Sequence, residues 1–328
     1  MKRREFITLI SGAATAWPFA AYAEQSTRIR KVAVILGVAD DTEGHARLGA
    51  LKQGMETLGW FEGRNAHFDV RYTAANPEII RSATSEIMGR APDVIVANTN
   101  KVVIALKQQT RALPIVFVQV IDPVTAGLVE SLSAPGGNVT GFMSADFSLS
   151  AKSVETLKEI APQVTRLAML RDSTDPQSIG QAASVQMAAT SLGMELTSIE
   201  IGDADTISRG IDLFARRQNG GLVVTATPLS TVHLETIIAA AARNKLPAIY
   251  PYRYFANRGG LISYGADNLD LWRRAATYVD RILKGANPSE LPVQQPTKFA
   301  LIINLKTAKA LDLKPEPTLL ARADEVIE

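Results

Sequence analysis

The chain has 328 residues, 46% hydrophobic and 21% charged, enough for two α/β units with full cores and no long segment of disordered composition. Lys2, Arg3 and Arg4 outweigh Glu5 ahead of Glu24, so the formal charge of +2 belongs to the N-terminus and the remainder is neutral, without a basic run to hold nucleic acid. There is no cysteine, which excludes disulfides, thiol catalysis, Cys-ligated metals and a bacterial lipid anchor.

The N-terminus reads as an address. Lys2, Arg3 and Arg4 form a basic n-region, residues 6–19 are mostly apolar, and Ala21-Tyr22-Ala23 matches the small-x-small cleavage rule. The apolar stretch is shorter than the ~20 residues that span a bilayer, and Pro18 interrupts it. The pattern predicts a signal peptide over 1–23, cleavage after Ala23, and a periplasmic protein that is neither membrane-spanning nor lipid-anchored. Arg3-Arg4-Glu5-Phe6-Ile7 resembles the twin-arginine core R-R-x-F-L, with Lys2 where Ser or Thr is usual, so the Tat and Sec routes both stay open.

Beyond the leader, short apolar runs alternate with helical periodicity. Residues 32–38 read as a buried strand, and Leu48, Leu51, Met55 and Leu58 recur at helical spacing up to Gly59. Phe68, Val70 and Tyr72 alternate as a strand, and Pro77 opens a helix with Ile79, Ile80, Ala83 and Ile87 on one face. Strands follow at 94–97 and 115–118. The rhythm restarts after Gly141, with a helix through Val154, Leu157 and Ile160 and strands at 167–170, 195–199, 222–225 and 248–250. Helices at 177–192, 206–216 and 232–243 separate those strands. After 261–264, an amphipathic helix carries Leu271, Ala275, Tyr278 and Ile282 to Gly285, and 299–305 forms a last apolar strand. This alternation predicts two parallel sheets covered by helices, with ligands held where the carboxyl ends of the strands face each other.

No catalytic constellation emerges. His45, His67 and His233 lie far apart without ligand spacing, and His233-Leu234-Glu235 lacks a second His. Gly136-Gly137-Asn138-Val139-Thr140-Gly141 has neither the spacing nor the Lys of a phosphate loop and reads as a turn entering a strand. The segment from Gly260 to Gly265 is one residue too long for a nucleophile elbow. The expectation is a binder rather than an enzyme, with no cofactor and no metal.

Several segments, in order, carry a family resemblance. They are Leu58-Gly59-Trp60-Phe61-Glu62-Gly63-Arg64-Asn65, Pro114-Ile115-Val116-Phe117, Asp122-Pro123-Val124, Gly127-Leu128-Val129 and Pro135 to Gly141. Further on come Leu246-Pro247-Ala248-Ile249-Tyr250, Gly259 to Gly265, Leu291 to Thr297 and Asn304-Leu305-Lys306-Thr307-Ala308. The chain resembles the ABC transporter substrate-binding family that includes tryptophan-type binders. The resemblance implies a type I periplasmic binding fold: two Rossmann-like lobes, joined by a multi-strand hinge, closing on a small ligand. It implies a first lobe of 30–143 plus 267–290, a second of 144–266 plus 291–318, and a tail of 319–328. It also implies delivery of an amino acid or other small carboxylate or aromatic solute, by a monomer, to an ABC permease and its ATPase. Presentation of the solute to a receptor kinase is the alternative. The chain departs from the family at Val38 to Glu43, where members carry a small first loop, and at Asn98-Thr99-Asn100, where they often carry Gly-Thr-Pro, so tryptophan is not carried over.

Strand ends nominate the contacts: Asp40, Asp41, Asn98, Thr99, Gln119 and Asp122 from the first lobe, and Asp172, Ser173, Thr225, Thr227, Tyr250 and Tyr264 from the second. Thr99 and Asn100 begin a helix, a place for a ligand carboxylate, though Thr99 is equally an N-cap. Asp122 suits a ligand ammonium or, ahead of Pro123, a helix cap. Asp40 and Asp41 also read as loop solvation. Tyr250, Tyr252, Tyr254 and Phe255 around Arg253 form either an aromatic wall with a cation or part of the lobe core.

Overall fold

Capping chemistry and alternating burial define the elements of the first lobe. The computed structural model describes residues 28–175 and 177–328, so the leader-like stretch 1–23 lies outside the described residues. β1 (Arg30–Leu36) leads to α1 (Thr42–Thr57), where the Asp41 carboxylate accepts from the Gly44 N–H at 2.8 Å. β2 (Ala66–Tyr72) follows, then α2 (Pro77–Gly89), capped by Asn76 with Pro77 in its first turn, where a missing N–H is harmless. β3 (Val94–Asn98), α3 (Asn100–Gln109), β4 (Ile115–Ile121) and β5 (Val139–Ala145) complete a parallel sheet of order β2-β1-β3-β4-β5. Val32, Val34 and Leu36 of β1 enter one core and Ala33 and Ile35 the other, which is why the strand reads as an unbroken apolar run. In α2 the inward stripe is Ile80, Ala83 and Ile87; Ile79, expected on that face, is exposed.

The second lobe contains α4 (Ser148–Ile160), β6 (Arg166–Arg171), α5 (Gln177–Ser191), β7 (Glu195–Glu200), α6 (Ala204–Phe214) and β8 (Gly220–Val224). Two short helices, α7 (Pro228–Val232) and α9 (Arg253–Asn257), flank α8 (Leu234–Arg243) and β9 (Ala248–Tyr250). β10 (Ile262–Ala266) then leaves for the first lobe, where α10 (Asn268–Leu283) packs on α1. The two helices cross closely at Gly54, where a Cβ would lie 2.5 Å from the Arg273 carbonyl oxygen. The chain returns through β11 (Phe299–Asn304), followed by α11 (Leu305–Ala310), α12 (Pro317–Ala321) and β12 (Glu325–Ile327).

The second sheet, of order β12-β11-β10-β9-β8-β6-β7, is mixed rather than wholly parallel. β10 runs toward the other lobe and β11 comes back from it, so the two are antiparallel. The chain passes between lobes three times, after β5, after β10 and before β11, and the last two passages are tied by the Asp267 N–H donating to the Lys298 carbonyl.

Three expected boundaries move. β5 continues to Ala145, past the expected end at 143. Leu291 and Val293 are buried in first-lobe clusters and Gln294 exchanges backbone hydrogen bonds with β5, so the return falls between Gln294 and Phe299 rather than at 291. The expected tail 319–328 is built into the second lobe: Leu319 is fully buried and β12 adds an edge strand beside β11. A three-residue edge strand is too short for periodicity to reveal.

Candidate ligand-binding cleft

The carboxyl ends of β3 and β4 face the loops that follow β6, β8 and β9 across a narrow cleft. Between them lies a small cavity of about 20 Å³, with Arg47, Asn98, Thr99 and Gln119 from the first lobe and Gln177, Thr227, Thr231 and Tyr252 from the second. An adjoining compartment of about 30 Å³ shares Ile121 and Ala226 with it and is lined by Gln181, Thr225, Pro251 and Tyr264. Among the described residues, two side-chain contacts bridge the lobes across the cleft. Lys101 Nζ lies 2.8 Å from Asp172 Oδ2 and 3.1 Å from Thr174 Oγ1, and Arg47 Nη2 donates to Tyr254 Oη at 3.4 Å.

Backbone strain gathers at the first-lobe strand ends. Thr99, Gln119 and Asp122 have φ values of +69°, +59° and +42°, a region non-glycine residues seldom occupy, at ~1–3 kcal/mol each. The surroundings hold them there. Asn98 Oδ1 accepts from the Gly37 N–H, and the Asn100 amide bonds both the N–H and the carbonyl of Ile121. Gln119 Oε1 accepts from the buried Trp272 indole at 2.6 Å, which fixes the amide at the cavity wall. A Cβ on Gly37 would come within 2.6 Å of Thr99 Oγ1, so only glycine leaves room for that hydroxyl.

Some of the polar atoms lining these two compartments have no partner. Arg47 is 2% exposed, yet its Nη1 has no hydrogen-bond partner; Thr99 Oγ1 and Gln181 Nε2 are likewise buried and unpartnered. Among the described residues Arg47 makes no ion pair. Glu43, one turn earlier, is raised above the ordinary carboxylate range by burial, an effect the Arg47 charge opposes. Glu43 is thus a nearby counter-charge but not a contact, and a buried cation with no anion in direct contact is costly.

A column of rings runs from the cavity into the second-lobe core: Tyr252 on Tyr254 at 5.3 Å, Tyr254 on Phe255 at 5.2 Å, and Phe255 on Tyr250 at 5.0 Å. The cation over this column is Arg47 from the opposite lobe, 5.9 Å from the Tyr254 ring centre. Arg253, expected in that place, faces solvent and pairs with Glu325. Burial raises the Tyr252 phenol pKa; Arg47 from one lobe opposes the rise and Asp175 from the other adds to it.

The residues nominated from sequence divide accordingly. Asn98, Thr99, Gln119 and Thr227 meet on the first cavity, and Thr225 and Tyr264 line the adjoining one. Thr227 also caps α7 through a capping box, and Thr225 Oγ1 donates to the Leu170 carbonyl. Asp172 stands at the cleft, paired with Lys101. The remaining five are elsewhere. Asp40 is exposed and bonds His45 at 2.6 Å, while Asp41 caps α1. Asp122 accepts from the Thr125 N–H at 3.1 Å as a turn cap, Ser173 is bound to Glu200, and Tyr250 is buried in the lobe core against Phe255. Arg47, Gln177, Gln181 and Thr231 were not nominated, and Tyr252 entered only as part of the aromatic wall weighed against the lobe core. Arg47 had a readable signal, since it shares the inward stripe of α1 with Gly44, Leu51, Gly54 and Met55, where a charge is out of place.

Among the described residues, no cluster of His, Cys, Asp and Glu could hold a metal, and no helix is long and apolar enough to cross a membrane. Two sheet-and-helix lobes around a polar cleft define a type I periplasmic binding fold. A family model described as ABC transporter substrate binding protein matches residues 31–327, and the chain belongs to that family. A tyrosine-binding protein of Clostridioides difficile (strain R20291) is 26% identical over 283 residues, 85% of this chain and 81% of the relative. Among solved structures, a conserved domain protein of Vibrio cholerae is 28% identical with a TM-score of 0.85, covering 91% of this chain and 100% of that one. An ABC domain from Streptococcus pneumonia in complex with L-Trp is 21% identical with a TM-score of 0.84, again covering 91% and 100%.

Proposed function

We propose that this chain is the exported, monomeric solute-capturing component of an ABC uptake system, which encloses a small amino acid or related organic acid between its lobes and hands it to a permease with its ATPase. The observation that carries this reading is the polar cavity closed between two lobes, where buried donors such as Arg47 Nη1 and Thr99 Oγ1 lack partners. Such a site suits a ligand that enters while the lobes are apart and is held by both once they close. The three chain passages provide the hinge. A relative described as tyrosine-binding and a structure bound to L-Trp support an amino acid as the ligand class. Export rests on the basic, apolar and Ala21-Tyr22-Ala23 pattern of the leader.

A thermal-shift screen of ligand-stripped protein against free amino acids and organic acids tests capture, with small-angle scattering on each hit. A saturable rise in melting temperature with a smaller radius of gyration is expected. A solute consumed rather than held, or no response to any of a broad metabolite set, would overturn the reading. Extracted protein should begin at Glu24 and lie in the periplasmic fraction.

A further inference from the structure

We infer that the ligand of this cleft carries a carboxylate, and that Arg47 is the residue that reads it, coupling its capture to lobe closure through Tyr254. The inference rests on the capture function proposed above and names the chemistry of that site. Arg47 projects from α1 of the first lobe into the interlobe cavity, 2% exposed. Its Nη2 donates to the Tyr254 hydroxyl of the second lobe at 3.4 Å, and that hydroxyl bonds Thr231 Oγ1 at 2.9 Å. Its Nη1 has no partner, and neither does Thr99 Oγ1 on the same cavity.

A guanidinium offers two parallel N–H groups to a carboxylate, a geometry a lone ammonium does not reproduce. The first turn of α3, which begins at Asn100 and has no side-chain cap from Thr99, adds backbone N–H groups and the positive end of the helix dipole. Donors and positive charge therefore converge from two elements, and no protein carboxylate pairs with the guanidinium among the described residues. Because one edge of Arg47 holds the opposite lobe, an anion seated on the other edge finds its full set of partners only when the lobes are together.

The test compares acids with the same molecules lacking the acid. Ligand-stripped full chain and its R47Q, R47K and T99V variants are titrated with L-tyrosine and L-tryptophan, and in parallel with their amides, tyramine and tryptamine. Succinate and benzoate with their amides extend the set. In the unmodified protein the acids should bind at least about a hundredfold more tightly than their uncharged or decarboxylated counterparts. R47Q should bring the acids down to the level of the amides while its ligand-free melting temperature stays the same or rises. R47K should retain part of the preference, and T99V should lose a smaller part. Equal affinity for an acid and its amide, or an acid whose affinity R47Q leaves unchanged, overturns the inference while capture stands. A sugar, nucleoside or polyamine binding in place of every acid does the same. A protein that binds none of these fails the capture reading itself. Should R47Q not fold, the acid–amide comparison on the unmodified protein and T99V decides alone.

Discussion

Lys101, at the start of α3, and Asp172, just past β6, meet at 2.8 Å across the cleft, so one ion pair spans both lobes. Asp172 is 1% exposed at its side chain and Lys101 17%, which places the pair mostly out of water. Removing one member of such a pair strands the other, at ~3–5 kcal/mol. Here the stranded group has an escape, because the lobes can part and let water in. Lys101→Met should therefore shift the protein toward an open form. Small-angle scattering should give a larger radius of gyration for the ligand-free variant than for the parent, with weaker ligand binding. Identical profiles with unchanged affinity would show that the pair does not hold the lobes.

The pH dependence of stability should carry a signature of Asp175. Its carboxyl is fully buried and pushed up to about 6 from an ordinary 3.8, chiefly by burial, against the opposing influence of Lys101. The folded protein thus takes up this proton more readily than the unfolded chain does. Its contribution is least unfavourable below the unfolded pKa, and stability is lost as pH rises from about 4 to about 6. A shift of that size corresponds to on the order of 3 kcal/mol. Asp175→Asn should remove this decline and be the more stable protein at pH 7 in urea titrations. A variant that tracks the parent from pH 4 to pH 7 would refute the prediction.

Gly37→Ala tests the crowding beneath Thr99. The new methyl group would sit 2.6 Å from Thr99 Oγ1 and 2.8 Å from its Cγ2, too close for either to stay. Overpacking of this kind costs ~1–3 kcal/mol. The variant should lose stability by that amount and also bind ligand more weakly, because the displaced hydroxyl belongs to the cavity. A stability loss with full affinity would mean that Thr99 makes no ligand contact.

Trp272 offers an optical reading of the cleft. It is fully buried, and its indole donates to Gln119 Oε1 at 2.6 Å, one residue away from the cavity lining. A ligand that touches Gln119 should alter the polarity around this indole and change its emission. The response should vanish in Trp272→Phe, leaving Trp60, which bonds Asp280, insensitive. An unchanged response in that variant would assign the signal elsewhere.

How much of this was legible beforehand follows from the range of the interactions. Strands, helices and the two-lobe plan rest on apolar spacing, caps and turns within a few residues, as with Asp41 before α1 or Asn76 before Pro77, and these can be read along the chain. Asn98, Thr99 and Gln119, which line the cavity, were readable as candidates because they lie at or near the carboxyl ends of strands in a parallel sheet, where ligand crevices form. Asp122 and Tyr250 also end strands, and whether a strand end faces the cleft, a turn or the core is set by packing from elsewhere. Local sequence is silent on which side chains lack a partner, since that depends on what comes near from the far side of the fold. Arg47 and Tyr254 stand 207 positions apart, and Trp272 and Gln119 153 apart. The sequence by itself thus determined the alternating elements, the family and one wall of the cleft. Only the tertiary structure decided that Arg47 stands buried and unpaired opposite a column of tyrosines, because burial and hydrogen-bond satisfaction are properties of the closed assembly of both lobes.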